Sequence, residues 1–358
     1  MTQNPMPFRQ SELLHSRTTW SFLLNLYPSF LLPSPTSGRR LLATAAAVLG
    51  LFGCSAPPSV HAESTATDGP AAAAETTANG SRNCKAIGNF YWEIGDGKSA
   101  IVSGAVGDEY SANKEISIAS ASKFVWGAYV LEKIGKNRQP DERTVEALTM
   151  RAGFTAFNPI ACLLTRTVEA CAANRSNGLL APGDVGRFSY GGGHDQRLAV
   201  DLGLGRYSAD QLTREVRTYL GNDLGLSYKR PQLAGGLEGS PAAYAGFLRK
   251  IINGQLRMHD FLGADAVCTL PGRCPGALVS PVKEAWHYSL NHWVEDDPRT
   301  GDGSFSSPGL QGFYPWISAD KKTYGIVARE ELRANAYWAS VECGRDIRKA
   351  YFSGKAVP

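Results

Sequence analysis

The run ISIASASKFVWGAYVLEKI, residues 116–134, starts as one kind of element and ends as another. Residues 116–119 are apolar and β-type, the serines after them suit a helix start, and 124–134 is apolar on nearly every face until Gly135 stops it. The pattern predicts a buried central helix. Inside it Ser120-Ala121-Ser122-Lys123 is an S-x-x-K. A serine on the first turn has its hydroxyl near unpaired backbone N–H groups, and a lysine three residues on lies on the same face, one turn away. Burial disfavours the charged form of an amine, so Lys123 is expected to take the Ser120 proton and leave an alkoxide able to attack a carbonyl. The tetrapeptide alone arises by chance about once in a chain of this length. Its setting carries the weight, because a lysine on so apolar a helix needs a chemical reason to be there.

At 358 residues, 43% hydrophobic and 20% charged, the chain has a globular composition and the length for one large domain or two. The formal net charge is +4, and Arg9, Arg17, Arg39 and Arg40 against Glu12 place most of it in residues 1–62. The remainder is close to neutral and has no basic stripe, which argues against a nucleic-acid partner.

Residues 1–62 read as leader and export signal, with Arg39-Arg40 ahead of the apolar run LLATAAAVLGLFG and then small residues. That run is short for a membrane span. Two processing sites stay open: Val60-His61-Ala62, an A-x-A-like cut, and Leu51-Phe52-Gly53-Cys54, which has the form of a bacterial lipobox and would attach the protein to a membrane through a lipid on Cys54. The expected localisation is periplasmic, secreted or lipid-anchored. Residues 63–83 are rich in Ala, Thr, Ser and Gly without a periodic apolar face, and are expected to be a disordered tether to a folded domain at 84–358.

Residues 89–106 alternate about Asp96-Gly97-Lys98 as a hairpin does. From 141 to 284 the pattern turns helical. Ser208 starts a helix over 209–220 that Gly221 ends, and Ser240-Pro241 starts another that Asn253-Gly254 ends. Strands return at 312–317, as an edge strand, and at 324–328, with a last helix around 347–352. The expected class is α/β (α+β): an antiparallel sheet sharing its N- and C-terminal strands, flanked by helices, with an all-helical insertion at roughly 141–284.

Without Cys54 six cysteines remain, an even number that suits an oxidising compartment. Spacing pairs Cys162 with Cys171 and Cys268 with Cys274, and leaves Cys84 and Cys343 to join the two ends. No C-x-x-C or H-x-x-x-H spacing points to a metal, and no cofactor is expected.

Three further stretches carry possible chemistry. Tyr190 and His194 flank the triple glycine 191–193, where backbone can approach a ligand closely, although such loops and lone histidines are commonly structural. LAGGL at 233–237 reads as a tight turn. Residues 306–313, SSPGLQGF, lead into the edge-type strand, where a free N–H would polarise a carbonyl. Trp286, His287, Tyr288, His292 and Trp293 form an aromatic cluster read as core or pocket wall.

In this order the stretches from about 89 to 330 resemble the penicillin-binding and β-lactamase-like serine hydrolases, nearest the class C β-lactamase and esterase branch. The S-x-x-K matches Ser120 and Lys123, the Y-x-N position looks like Tyr190-Gly191-Gly192, and the K-T-G or H-x-G position looks like Ser307-Pro308-Gly309. The resemblance implies a β-lactamase/transpeptidase-like fold, Ser120 as the acylated nucleophile, Lys123 as its base or base partner and Tyr190 as a proton relay. It implies the backbone N–H groups of Ser120 and Leu310 as the oxyanion hole, and makes Gly192, His194, Ser307 and Gly309 candidate substrate contacts. Ser307 stands where a lysine would hold a carboxylate, and Gly192 lacks the amide that would hold a peptide bond. Both departures favour an esterase or other acyl hydrolase over an efficient β-lactamase. The expected protein is a monomeric exported serine hydrolase of a small ester, amide or cell-wall-derived substrate. Two alternatives stay open: a silent protein of this fold that binds cell-wall material or a partner, and a β-lactamase or D-Ala-D-Ala peptidase.

Overall fold

A computed structural model describes residues 69–358. The readings of residues 1–62, with both processing sites and Cys54, fall outside the described residues, as do 63–68.

The first element, α1 (Pro70–Gly80), replaces most of the expected tether with a helix. Alanine is the strongest helix former, and the small side chains of Ala73, Ala74, Thr77 and Ala78 are buried where α1 lies close on the C-terminal helix. The chain terminus closes over it, with Val357 N–H donating to Thr77 Oγ1 at 2.8 Å. Ser81 caps α2 (Arg82–Ile87). β1 (Phe90–Asp96) and β2 (Ala100–Val106) form the expected hairpin, its turn tied by Asp96 Oδ1 accepting from the N–H groups of Lys98 and Ser99. β3 (Ile116–Ser117) leads through a 3₁₀ turn, Ala119–Ala121, into α3 (Ser122–Ile134), which Gly135 ends.

α4 (Glu142–Leu148), α5 (Val168–Ala172), β4 (Phe188–Ser189), α6 (Gly193–Ala199) and α7 (Ala209–Leu220) follow. α7 has the predicted bounds, because Ser208 and Gln211 close a reciprocal cap and Leu212, Val216 and Leu220 face inward. β5 (Ser227–Tyr228) and β6 (Leu237–Gly239) join β3 in a small antiparallel sheet. α8 (Pro241–Ile252), capped by Ser240, precedes α9 (Met258–Phe261), β7 (Val267–Cys268) and β8 (Ala277–Val279), which runs parallel to β4. Then come β9 (His287–Tyr288), β10 (Trp293–Glu295), β11 (Ser304–Ser306), β12 (Tyr314–Ile317), β13 (Thr323–Ala328) and α10 (Ala336–Ser353).

The main sheet is antiparallel, in the order β2-β1-β13-β12-β11-β10-β9-β7, so strands from both chain ends pair one strand in from the β2 edge. The two-residue period sorts its side chains into two cores. Phe90, Trp92, Ile94 and Val327 pack toward α10, whereas Tyr91, Tyr324, Ile326 and Ala328 pack toward α3 and α8. The antiparallel sheet flanked by helices is the class expected. The three disulfides are those that spacing indicated, Cys84–Cys343, Cys162–Cys171 and Cys268–Cys274, with Cα separations of 4.6, 4.7 and 5.8 Å.

Three expectations need correction. The insertion is mixed rather than all-helical: it contains β4, β5, β6 and β8, α8 leaves it to pack on β1, β12 and β13, and β7 already belongs to the main sheet. β12 is an interior strand, because β11, unrecognised at three residues long, pairs beside it. The last helix begins at Ala336, not near Ile347, and in it the partly buried Arg345 and the buried Arg348 both pair with Glu295.

Candidate active site

Ser120 sits in the 3₁₀ turn ahead of α3 rather than in the helix, and it caps nothing. Ala119 before it has a φ of +43°, a left-handed backbone that a side chain seldom adopts, so the surrounding structure must hold this turn. The hold is visible: Ile118 N–H donates to Leu237 O at 3.2 Å, and the Ser307 hydroxyl donates to Ser120 O at 3.0 Å. Lys123, on the first turn of α3 and only 3% exposed, donates from Nζ to Ser120 Oγ and to Ala234 O, both at 3.1 Å. Ala234 belongs to the stretch read as a tight turn. Turn it is, with Gly236 N–H on Gln232 O, but its carbonyl also aims the lysine at the serine.

Tyr190 follows β4, and its N–H is fixed on Val279 O at 2.9 Å. Lys123 Nζ stands 4.7 Å from the centre of the Tyr190 ring, which is packed by Trp293 and Tyr288. Among the described residues the N–H groups of Ser120 and Leu310 carry no hydrogen bond, and both residues border one small cavity. It measures about 50 Å³ and is walled by Tyr190, Pro281, Val282, Trp293, Pro308 and Tyr337. Every one of these side chains is uncharged. A larger hollow of about 570 Å³, by Tyr110 and Arg329, holds no comparable serine–lysine pair, and its Arg329 is spent on the carbonyls of Ile87 and Ala336.

No protein-family model and no curated protein matches the chain. Solved structures do. A simvastatin synthase LovD9 mutant from Aspergillus terreus aligns at TM-score 0.58 and 13% identity, over 79% of this chain and 98% of that one. A β-lactamase from Mycobacterium bovis aligns at 0.50 and 11%, over 74% and 95%. An octameric penicillin-binding protein homologue from Pyrococcus abyssi aligns at 0.52 and 12%, over 75% and 74%. The chain has a β-lactamase-like fold.

Within this β-lactamase-like frame, the four residues expected to touch substrate are all buried. Gly192 is buried, and a Cβ there would meet Phe157 at 2.6 Å and Ala234 at 3.2 Å, so the place of the absent amide is filled by packing. His194 is fully buried with Nε2 on Ser189 O at 3.1 Å, and burial lowers its pKa to about 4. Ser307 is 2% exposed and uses its hydroxyl on the Ser120 turn, as described. Gly309 is buried, and a Cβ there would collide with Ile118 O, which makes it the point where the loop before β12 lies against the segment leading to Ser120. The wall residues Pro281, Val282 and Tyr337 were missed. Trp293 was foreseen only as part of an aromatic cluster, and Tyr337 has no local signal at all.

Proposed function

We propose that the protein is a serine hydrolase that acylates Ser120 with the acyl group of a small neutral ester. The observation that carries this reading is the buried Lys123 Nζ at 3.1 Å from Ser120 Oγ. In its neutral form that amine takes the Ser120 proton as Oγ bonds to the ester carbonyl carbon. The carbonyl oxygen becomes an oxyanion facing the free N–H groups of Ser120 and Leu310. The carbon–oxygen bond to the alcohol then breaks, and the alcohol departs with the proton delivered from Lys123, directly or through Tyr190. Water repeats the cycle on the acyl-enzyme, releasing the acid and restoring Ser120. The likeness in fold to a simvastatin synthase and to a β-lactamase supports acyl transfer. The uncharged cavity wall favours esters over β-lactams, whose carboxylate asks for a cation. Three disulfides suit an exported protein.

Hydrolysis of p-nitrophenyl acetate is the direct test. Ser120→Ala is expected to fall to the buffer rate, and Lys123→Ala to lose roughly 10²–10⁴-fold in kcat/KM, the usual contribution of general acid–base catalysis. Turnover that survives Ser120→Ala unchanged contradicts the reading.

A further inference from the structure

We infer that Tyr337 is the end wall of the alcohol side of this cleft and restricts the ester to small, uncharged leaving groups, an inference that rests on the Ser120 reading above. The departing oxygen must regain the proton that Ser120 gave up, and the groups able to return it, Lys123 and Tyr190, stand together. Tyr190 is also part of the cavity wall, so the group attached to the departing oxygen points into that cavity. At about 50 Å³, where one water occupies roughly 10–15 Å³ on the same measure, the space holds only a few waters, room for a short alkyl group.

Tyr337 closes it from the first turn of α10, and the closure is tied rather than loose. Its hydroxyl donates to Pro281 O at 2.7 Å, bridging α10 to the loop that forms the opposite wall. Burial raises the pKa of that hydroxyl, and the neighbouring Tyr190 raises it further. Two more ties join the same pair of segments. Trp338 packs on Trp286 with ring centres 5.6 Å apart, and Arg345 grips Glu284 through two nitrogens at 2.9 and 3.1 Å. Moving this wall aside for a longer chain means breaking these contacts, so the tied wall disfavours longer alcohols.

The test compares methyl, butyl and hexyl acetate, which share an acyl group and differ only in the alcohol. In the wild type kcat/KM is expected to fall at least about tenfold from methyl to hexyl, the scale on which a closed apolar pocket rejects extra methylenes. Tyr337→Ala should bring that ratio close to one. Val282→Ala, which opens the cavity from the loop side, should move it the same way, and Tyr337→Phe, which keeps the ring, should hold it within about twofold of wild type. A parallel series with a fixed methyl alcohol and acetyl to hexanoyl groups should not respond to Tyr337→Ala. A wild type that accepts hexyl as readily as methyl acetate, or a response confined to the acyl series, overturns the inference. Labelling with a fluorophosphonate and mass mapping separates the two levels. An adduct at Ser120 with ratios unmoved by both wall variants overturns the size limit alone, whereas no adduct at Ser120 in the wild type overturns the catalytic reading and the inference with it.

Discussion

Asp195, in the first turn of α6, is fully buried and feels the charge of Lys123. Its Oδ1 accepts from Asn291 Nδ2 at 2.8 Å, and Oδ2 has no partner. Burial pushes its pKa up to about 7 against the opposing pull of Lys123 and Asn291. His194 and His292 are shifted the other way, each lowered by burial to about 4. The two kinds of shift give opposite slopes. A carboxyl with a raised pKa favours folding while protonated, so its contribution is complete below 3.8 and is lost as pH rises through 7. A histidine with a lowered pKa favours folding while neutral, so its contribution is present above 6.5 and is lost as pH falls through 4. Asp195→Asn keeps the shape and the Asn291 contact and removes the charge. It is expected to stabilise the protein by about 2–4 kcal/mol at pH 8 and to leave it unchanged at pH 4. Melting curves of both proteins across that range decide it, and a gap that does not widen with pH contradicts the assignment.

Between β10 and α10 the same physics works with the charges paired. Glu295 is fully buried, and its Oε2 accepts from Arg345 Nε at 3.0 Å and from an Arg348 terminal nitrogen at 2.9 Å, while Oε1 accepts from the Tyr314 hydroxyl at 2.7 Å. Burial alone would push its pKa up, but Arg348 and Arg345 outweigh it and hold the carboxyl below its ordinary range. A complete cluster of this kind is not in itself a source of stability, and removing Glu295 leaves Arg345 with Glu284 and Arg348 with Asp302, so the cost falls below the loss of about 3–5 kcal/mol for a fully broken buried pair. Glu295→Gln is expected to lose about 1–3 kcal/mol in urea denaturation, and a smaller loss would mean that Glu284 and Asp302 alone satisfy the arginines. The cluster also explains what could be read in the chain beforehand. α7 and α8 were legible because a serine cap, an apolar stripe and a Gly or Asn-Gly stop lie within one segment. The helix after the S-x-x-K was legible from its apolar run and the Gly135 stop, although no serine caps it. The start of α10 was not, because no side chain caps it and Arg345, polar in sequence, is partly buried only through its pairs with Glu284 and Glu295. Asp195 and Tyr337 belong to the same class, since each has its role from partners far along the chain, whereas β9 to β11 pair locally and were lost because each is only two or three residues long. Gly192 and Ser307 were found by their place in a motif order, but which way they face depends on Phe157 and on the Ser120 carbonyl, and the motif is silent about both.

At the scale of the whole molecule, the two chain ends are built as one layer. β1 pairs with β13, α1 and α2 lie on α10, Arg82 N–H reaches Pro358 O at 3.4 Å, and Cys84 is bonded to Cys343 across 259 residues. The wall of the candidate site is part of that layer, since α10 carries both Cys343 and Tyr337. A cross-link acts mainly by shrinking the unfolded ensemble, and in the chain-entropy account the effect grows with the logarithm of the loop closed. The Cys84–Cys343 bond closes nearly the whole folded chain and is worth about 5 kcal/mol on that account, whereas Cys162–Cys171, nine residues apart, is worth about half as much. The paired replacement Cys84→Ala with Cys343→Ala is therefore expected to cost more stability than Cys162→Ala with Cys171→Ala. It should also steepen the urea dependence, because the unfolded chain freed of its long loop exposes more surface. Both cysteines of each pair are fully buried, so the packing lost on truncation is similar and the comparison isolates the loop. Equal losses from the two pairs, with no change in the urea slope, would show that the end-to-end bond acts through native packing rather than by closing the chain.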